Sequence, residues 1–200
     1  MILPNPLAIA PFKRLPDAPP DLKDWLSRHG WPIEIRRMTS GDALYWDREV
    51  LPTIKRIEIE RLVGIRPDAQ PRADAYWLAT WSMIRRAYGT LSHLSSMVRP
   101  LKSEPTTPQT WTVLAPGNHG NVPIGMLMGL ARQDLPKGAP SGPHAFAWLL
   151  TTAPDEHLEA NGIPSTLALG KVLLDVIIQV SLATNCEGRV ILHADPRGGP

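Results

Sequence analysis

The sequence has very little cysteine and no long apolar run. Cys186 is the single cysteine, which excludes an internal disulfide framework and favours a reducing compartment. No stretch approaches the roughly 18 consecutive apolar residues of a membrane span. The apolar residues of the Pro-rich N-terminus (MILPNPLAIAPFKRLP) follow no basic leader, as a secretory signal would require. We therefore expect a cytoplasmic protein that does not associate with membranes.

Net charge is also low, at +2. Because no dense stripe of Lys and Arg is present, we expect no nucleic-acid partner. The histidines are scattered without the spacing of metal ligands, so no metal site is predicted. Neither a G-x-S-x-G motif nor a phosphate-binding P-loop occurs. The enzyme classes that these motifs define are therefore not indicated.

Proline and tryptophan are abundant instead, with 22 and 7 residues. The prolines divide the chain into short elements, and the tryptophans supply core or groove material. A length of 200 residues with 43% apolar content is enough for one domain with a proper core. We predict a Pro-rich N-terminal extension over residues 1–30 and one domain over residues 31–200.

The stretch from Ile163 to Pro196 has the strongest pattern in the chain. Its apolar residues recur at three- and four-residue spacing, which predicts a helix packed on a sheet. Ser165 or Thr166 would cap the start of this helix, and Arg189–His193 (RVILH) reads as a buried strand. The expected buried face consists of Leu169, Val172, Leu173, Val176, Ile177 and Val180, and Leu174, Ile178 and Leu182 are expected to widen it.

The loop that opens this helix suits an anion, because the amides of a first helical turn lack partners and the helix dipole adds positive charge. Ala168 and Gly170 leave that backbone accessible, and Lys171 adds a cation. The alternative is a core helix that merely begins after Pro164. The residues alone leave both interpretations open.

Ser165 to Leu174 resembles the acetyl-CoA pyrophosphate loop of the GNAT (GCN5-related) N-acetyltransferases, whose pattern is Q/R-x-x-G-x-G/A before an apolar helix. Gly170 matches the second glycine of the pattern. Ser165 stands where Gln or Arg is usual, and Ala168 stands where the first glycine is usual. The segment GRVILHADPRGG after the helix also resembles the strand and turn that follow in many members.

The order of predicted elements supports the same resemblance. IEIRRMTSGDA is similar to the first strand and helix start of many GNAT domains. The sequence predicts strands at 33–38, 110–115, 122–131 and 145–152, helices within 42–63 and at 72–88, and a loop over 91–108 with a helical turn around Leu94–Val98. Asp155–Gly162 is expected to be a short helix or an insertion. The resemblance therefore implies an α/β fold of the α+β type, in which helices flank a mixed, mostly antiparallel central sheet.

Side-chain directions can be predicted for the first helical segment. Ile54, Ile57, Leu62 and Ile59 are expected to face inward. The charged residues between them form the expected solvated face, which consists of Lys55, Arg56, Glu58, Glu60 and Arg61. Pro52 is expected to start or to kink the main part of this helix.

The resemblance implies acetyl-CoA as co-substrate and an amine as acceptor. The pantetheine arm would pair with backbone groups of Leu150, Thr151 and Thr152. The pyrophosphate loop would comprise Ser165, Leu167, Ala168, Leu169, Gly170 and Lys171. Trp77, Trp81 and Tyr88 form an aromatic stripe that is core in the simpler interpretation. In a GNAT domain the same residues could line the acceptor groove.

Acetyl transfer to an amine requires removal of a proton and a donor for the oxyanion. His144 and His193, at the ends of two predicted strands, are the candidate bases, and a water relay is an alternative. The tyrosine acid found after the fifth strand in many members has no counterpart here. We expect the sheet to end at the fifth strand, and an exposed edge there favours pairing with a second copy of the chain.

Three functional interpretations follow. The favoured one is an N-acetyltransferase that binds acetyl-CoA and acetylates an amine. The second is a catalytically inactive, truncated GNAT-like domain with a binding or assembly role. The third is an unrelated α/β protein whose loop resembles the CoA site by chance.

Overall fold

The computed structural model describes residues 33–98, 108–133, 142–165 and 169–192. The strands are β1 (Glu34–Arg37), β2 (Pro108–Gly117), β3 (Gly120–Gln133), β4 (His144–Thr152) and β5 (Val190–Leu192). The helices are α1 (Ser40–Tyr45), α2 (Leu51–Leu62), α3 (Trp81–Val98), α4 (Asp155–Ala160) and α5 (Leu169–Ala183). A π-helical turn, Trp46–Val50, joins α1 to α2, and Ala73–Tyr76 forms a short 3-10 helix.

The strands form one five-stranded sheet in the order β1-β2-β3-β4-β5. The first three pairs of neighbours are antiparallel, and β4 and β5 are parallel. Helices cover both faces of this mixed sheet, which is the architecture that the GNAT resemblance implies. The predicted fold class is confirmed. The predicted N-terminal extension lies outside the described residues.

The start of α1 follows from the Thr39–Asp42 pair. The amide of Asp42 donates to Thr39 Oγ1 at 3.2 Å, and the amide of Thr39 donates to Asp42 Oδ2 at 2.7 Å. This reciprocal capping box satisfies two amides that a helix start otherwise leaves without partners. Arg36 then binds both oxygens of Asp42 at 2.8 Å, which ties the helix to β1. The helix start expected after the first strand is confirmed.

The six core positions predicted for α5 are buried, with exposures between 0% and 4%. The predicted widening of this face is wrong at Leu182, which is 41% exposed, while Leu174 and Ile178 are half-buried. Leu173 and Ile177 pack against the sheet where β3 has glycine instead of a side chain. A Cβ added to Gly125 would lie 3.2 Å from Leu173 Cδ1, and one added to Gly129 would lie 3.1 Å from Ile177 Cδ1. The two glycines therefore let this apolar helix approach the sheet closely.

The inward face predicted for α2 is correct at Ile54 and Ile57, which are 0% and 7% exposed. It is wrong at Ile59 and Leu62, which are 60% and 61% exposed. Both wrong positions lie in the second half of the helix. Surface apolar residues of this kind are common in folded proteins.

Glu58 is a further correction, because it was expected on the solvated face and is only 4% exposed. Arg61 Nε donates to both oxygens of its carboxylate at 3.1 and 3.2 Å, and the Tyr76 hydroxyl also donates to it. Hydrogen bonds from Arg61 and Tyr76 hold the pKa of the Glu58 carboxyl below its ordinary value, although burial opposes them. The partners make this burial tolerable.

The helix predicted over Arg72–Tyr88 is wrong in its first part, since α3 begins only at Trp81. Asp47, in the π-helical turn, explains the boundary. Its carboxylate accepts from the amides of Trp81 at 2.8 Å and of Ser82 at 2.9 Å. A distant side chain thus caps α3. The helix also continues to Val98, so the loop predicted from Leu91 is wrong up to that residue, apart from the helical turn predicted around Leu94–Val98.

Candidate functional site

Only part of the β4 edge that faces β5 is paired with that strand. Ala145, Phe146 and Ala147 pair with Val190–Leu192. From Trp148 to Thr152, β4 has no strand partner on this side among the residues that the structure describes. We call this segment the free edge of β4.

A β-bulge marks the beginning of the free edge. On β3, Met128 and Gly129 are neighbours, whereas their partners on β4 are Leu149 and Ala147. Trp148 is therefore an extra residue without a partner on β3. A bulge reverses the alternation of backbone directions along a strand, so it determines which amides of β4 point outward.

Leu150 and Thr152 direct their backbone groups to the free edge. The amide of Ala153 donates to the carbonyl of Ile124 on β3 at 2.8 Å. Because directions alternate along an antiparallel strand, the backbone of Thr151 also points to β3, and that of Leu150 and Thr152 points away from it. Of the backbone groups predicted to hold pantetheine, Leu150 and Thr152 are thus on the accessible side.

The free edge leads to a cleft of about 310 Å³ at the start of α5. Thr152 lines it from β4, and Leu169, Gly170 and Lys171 line it from α5. Among the described residues, a Cβ added to Gly170 would meet no atom within 4 Å outside the backbone of its own helix, so this backbone is open to approach from the cleft. The positive end of the α5 dipole and Lys171 favour an anion here. Asp155 also lines the cleft.

The structure thus brings together residues that the resemblance assigned separately to the pantetheine arm and to the pyrophosphate. Ser165 lies in a turn and is half-buried. Leu167 and Ala168 lie outside the described residues, as does the alternative cap Thr166.

The sequence did not indicate the polar contacts that hold the α2–α3 connection against β4. Arg72 Nη2 donates to the carbonyl of Thr152 and to the Thr151 hydroxyl at 3.2 Å. The carboxylate of Asp74 accepts from Arg72 at 2.9 Å and from the Thr151 hydroxyl. Asp74 and Thr151 are both buried. Such contacts between distant segments have no local sequence signal.

The predicted aromatic stripe divides between core and surface. Trp81 is 1% exposed and belongs to the core. Trp77 is half-buried and packs against Trp81 with ring centroids 5.7 Å apart. Tyr88 contacts Trp148, the bulged residue of β4, edge to face at 5.5 Å. Trp148 is 37% exposed. Of the stripe, Tyr88 is the residue in ring contact with the free edge.

The two candidate bases cannot be treated alike. His144 is the first residue of β4 and is 6% exposed, and its Nδ1 has no hydrogen-bond partner among the described residues. It precedes Trp148 by about 13 Å of strand. His193 lies outside the described residues.

His157 of α4 forms a buried cluster that the sequence did not indicate. Its Nε2 lies 3.3 Å from the Tyr45 hydroxyl and 3.4 Å from Asn161 Nδ2. Burial lowers the pKa of His157, and the nearby Glu49 carboxylate opposes this shift. Burial also raises the pKa of Tyr45. The cluster therefore favours a neutral imidazole.

We expect this cluster to make the free energy of unfolding depend on pH. The unfolded chain binds a proton at His157 with the ordinary pKa of 6.5, whereas the folded chain binds it only at lower pH. Stability therefore falls as the pH drops below about 6.5. Chemical denaturation at pH 7 and pH 5 should show a smaller loss for His157→Gln than for the wild type. An equal or larger loss in the variant would contradict this.

Asp175 is the second buried ionisable group that pattern analysis missed. It lies on α5, is 2% exposed, and neither carboxylate oxygen has a hydrogen-bond partner in the part of the chain that the structure describes. Burial raises the pKa of Asp175, and Gln179 opposes this shift. The charged form is therefore disfavoured at this position.

Two further kinds of site were sought in the described ranges. No helix there has both the length and the apolar character needed to cross a membrane. In the same residues, no cluster of His, Cys, Asp and Glu side chains is arranged to hold a metal ion.

The topology, the free edge of β4 and the cleft before α5 occur in the order that the resemblance implies. The fold is GNAT-like. No protein-family model matches the chain, and no curated protein matches it. Similarities are found among solved structures.

One similar structure is the aminoglycoside N-acetyltransferase AAC(6′)-Iy in complex with CoA. It is 17% identical with a TM-score of 0.41, and the match covers 84% of this chain and 80% of that chain. A transcriptional regulator from Bacillus halodurans C-125 is 14% identical with a TM-score of 0.44, covering 83% and 84%. Glucosamine-6-phosphate N-acetyltransferase from Arabidopsis thaliana is 11% identical with a TM-score of 0.38, covering 82% and 84%. Similarities at this level establish neither a shared activity nor a shared ligand.

Proposed function

We propose that the chain is a GNAT-type N-acetyltransferase that binds acetyl-CoA along the free edge of β4. One observation carries the proposal: the backbone of Leu150 and the amide of Thr152, which have no strand partner on this side among the described residues, lead to a cleft at the start of α5. An extended ligand with amides in its middle and phosphates at one end suits such a site. Its amides can pair with a free strand edge, and its phosphates can lie at a helix N-terminus.

The cleft supplies the anion-binding part of this site. Amides at the start of α5 would donate to the pyrophosphate, and the open space at Gly170 allows the phosphates to approach the backbone. Lys171 lines the same cleft and would add positive charge. The backbone of Leu150 would exchange hydrogen bonds with the pantetheine arm. Arg72 donates to the carbonyl of Thr152, so the amide of Thr152 is the group left for the ligand.

The reacting thioester would then lie toward the bulge at Trp148. An attacking amine must lose a proton, and the tetrahedral oxyanion needs a hydrogen-bond donor. His144 and His193 remain the candidate bases. The distance of about 13 Å along β4 between His144 and Trp148 favours a water relay over direct deprotonation. Trp77 and Tyr88 are the candidate acceptor-side residues, since Trp81 is enclosed in the core.

The proposal is tested by titrating the chain with acetyl-CoA in a calorimeter, using the wild type and Leu150→Pro. Proline removes the amide N–H on the free edge, where no bond to β3 is lost. We expect the wild type to bind and the variant to bind about three- to tenfold more weakly, as the loss of one hydrogen bond predicts.

Leu150→Ala is the matched control, because it shortens the same side chain but keeps the amide. We expect it to bind acetyl-CoA nearly as tightly as the wild type. Circular dichroism should show that all three proteins are folded. A folded wild type that does not bind acetyl-CoA would refute the proposal. Binding without acetyl transfer to any tested amine would support the inactive alternative.

A further inference from the structure

A second cleft, of about 380 Å³, lies at the other end of the sheet. It is formed where β1 ends, where β2 begins and where α3 passes over them. Its polar lining comes from Arg37, Arg85, Tyr88, Gln109 and Thr110, and no described residue of the lining is acidic. We call it the arginine cleft.

The arginines of this cleft differ from most others that the structure describes. Arginines elsewhere form ion pairs with carboxylates, namely Arg36, Arg56, Arg61, Arg66, Arg72 and Arg189. Arg37 instead donates to Gln109 Oε1 at 2.5 Å and lies over the Trp111 ring at 4.6 Å. Arg85 donates to the Met38 carbonyl at 3.3 Å and to Ser40 Oγ at 2.8 Å. The partners of both are neutral.

Each guanidinium also has N–H donors that these contacts do not use. An arginine side chain carries five N–H donors in a planar fork. Arg37 and Arg85 use only some of theirs in these contacts. Arg37 is half-buried, and burial lowers its pKa, so its charge is poorly compensated. A phosphate or carboxylate would supply the missing negative charge and would match the geometry of the fork.

Tyr88 connects this cleft with the free edge of β4. It lines the arginine cleft, and its ring contacts Trp148 at the bulge. A molecule held by the arginines would thus lie on one side of this aromatic pair. On the proposed function, the thioester lies on the other side.

We propose that the arginine cleft holds the anionic group, a phosphate or a carboxylate, of the amine that accepts the acetyl group. Identifying the ligand as the acceptor rests on the proposed function, whereas the anion site itself does not. The acceptor is therefore a small amine that carries a negative charge, rather than a polycation.

Calorimetric or thermal-shift titrations with inorganic phosphate and, separately, with acetate test the anion site at constant ionic strength. We expect saturable binding of at least one anion, and the tighter one identifies the group. Arg85→Gln should weaken this binding at least about tenfold, because charge-assisted hydrogen bonds are lost. Arg56→Gln, an exposed arginine paired with Glu60, should leave it unchanged.

The Gly170→Glu variant shows whether phosphate binds in the arginine cleft or in the cleft at the start of α5. Phosphate binding that survives Gly170→Glu but not Arg85→Gln supports the proposal. Three results would overturn it. Phosphate binding could be lost in Gly170→Glu but kept in Arg85→Gln, or the affinity could fall equally in Arg85→Gln and Arg56→Gln. The third is that neither phosphate nor acetate shows saturable binding. Acetyl-CoA affinity of Arg85→Gln should stay within about twofold of the wild type, because a distant site does not contact that ligand. If phosphate binds here but acetyl-CoA does not bind the wild type, the anion site stands and its assignment to an acceptor fails.

Discussion

Gly170→Glu is expected to reduce the affinity for acetyl-CoA by roughly 30-fold or more. The backbone at Gly170 borders the cleft at the start of α5, and a side chain there would extend into open space. A carboxylate within about 4 Å of a pyrophosphate costs on the order of 2 kcal/mol, between the limits set by water and a partly shielded surface. Isothermal titration of the folded variant measures this loss.

Ala183→Glu provides the matched control for this substitution. It adds the same carboxylate to the same helix, at the exposed C-terminal end of α5, and we expect its acetyl-CoA affinity to stay within about twofold of the wild type. If Gly170→Glu bound acetyl-CoA as tightly as this control, the phosphates would not lie at the start of α5.

Leu173→Ala is expected to lower the free energy of unfolding by about 2–5 kcal/mol, the usual range for a truncated core leucine. Leu173 is 0% exposed and packs against Gly125 of β3. The glycine has no side chain that could move into the space left by the leucine. The surrounding backbone is held in the sheet, so the cavity would remain largely open. Urea denaturation monitored by circular dichroism measures the change.

Leu182→Ala makes the same truncation at a position of α5 that is 41% exposed, and a change within about 0.5 kcal/mol is expected there. Similar losses at both positions would show that α5 does not pack on the sheet in the way described.

Periodicity predicted the six core positions of α5 correctly, because an apolar helix against a sheet repeats its contacts at a fixed angular interval. It was wrong at Leu182, which was expected to widen this face and is 41% exposed. The prediction for α2 failed at Leu62 and Glu58 for the converse reason. A helix at the surface has fewer neighbours, and specific polar partners decide which residues are covered. Arg61 and Tyr76 cover Glu58, and Tyr76 belongs to the connection after α2.

Single residues of the candidate site could be predicted from the sequence, but their arrangement around one cleft could not. The resemblance identified Thr152 and Gly170, and the structure places both at one cleft. The outward direction of Leu150 depends on the bulge at Trp148, which a single sequence does not reveal. The contacts of Arg72 with Thr152 and of Asp47 with the start of α3 also join distant segments.

Hydrogen exchange of the wild type, with and without millimolar acetyl-CoA, tests most directly whether the free edge of β4 and the start of α5 form one binding site. We predict slower exchange in both segments, Leu149–Thr152 and Leu169–Lys171, when acetyl-CoA is present. Unchanged exchange in both segments, or slower exchange confined to other parts of the chain, would contradict the proposed site.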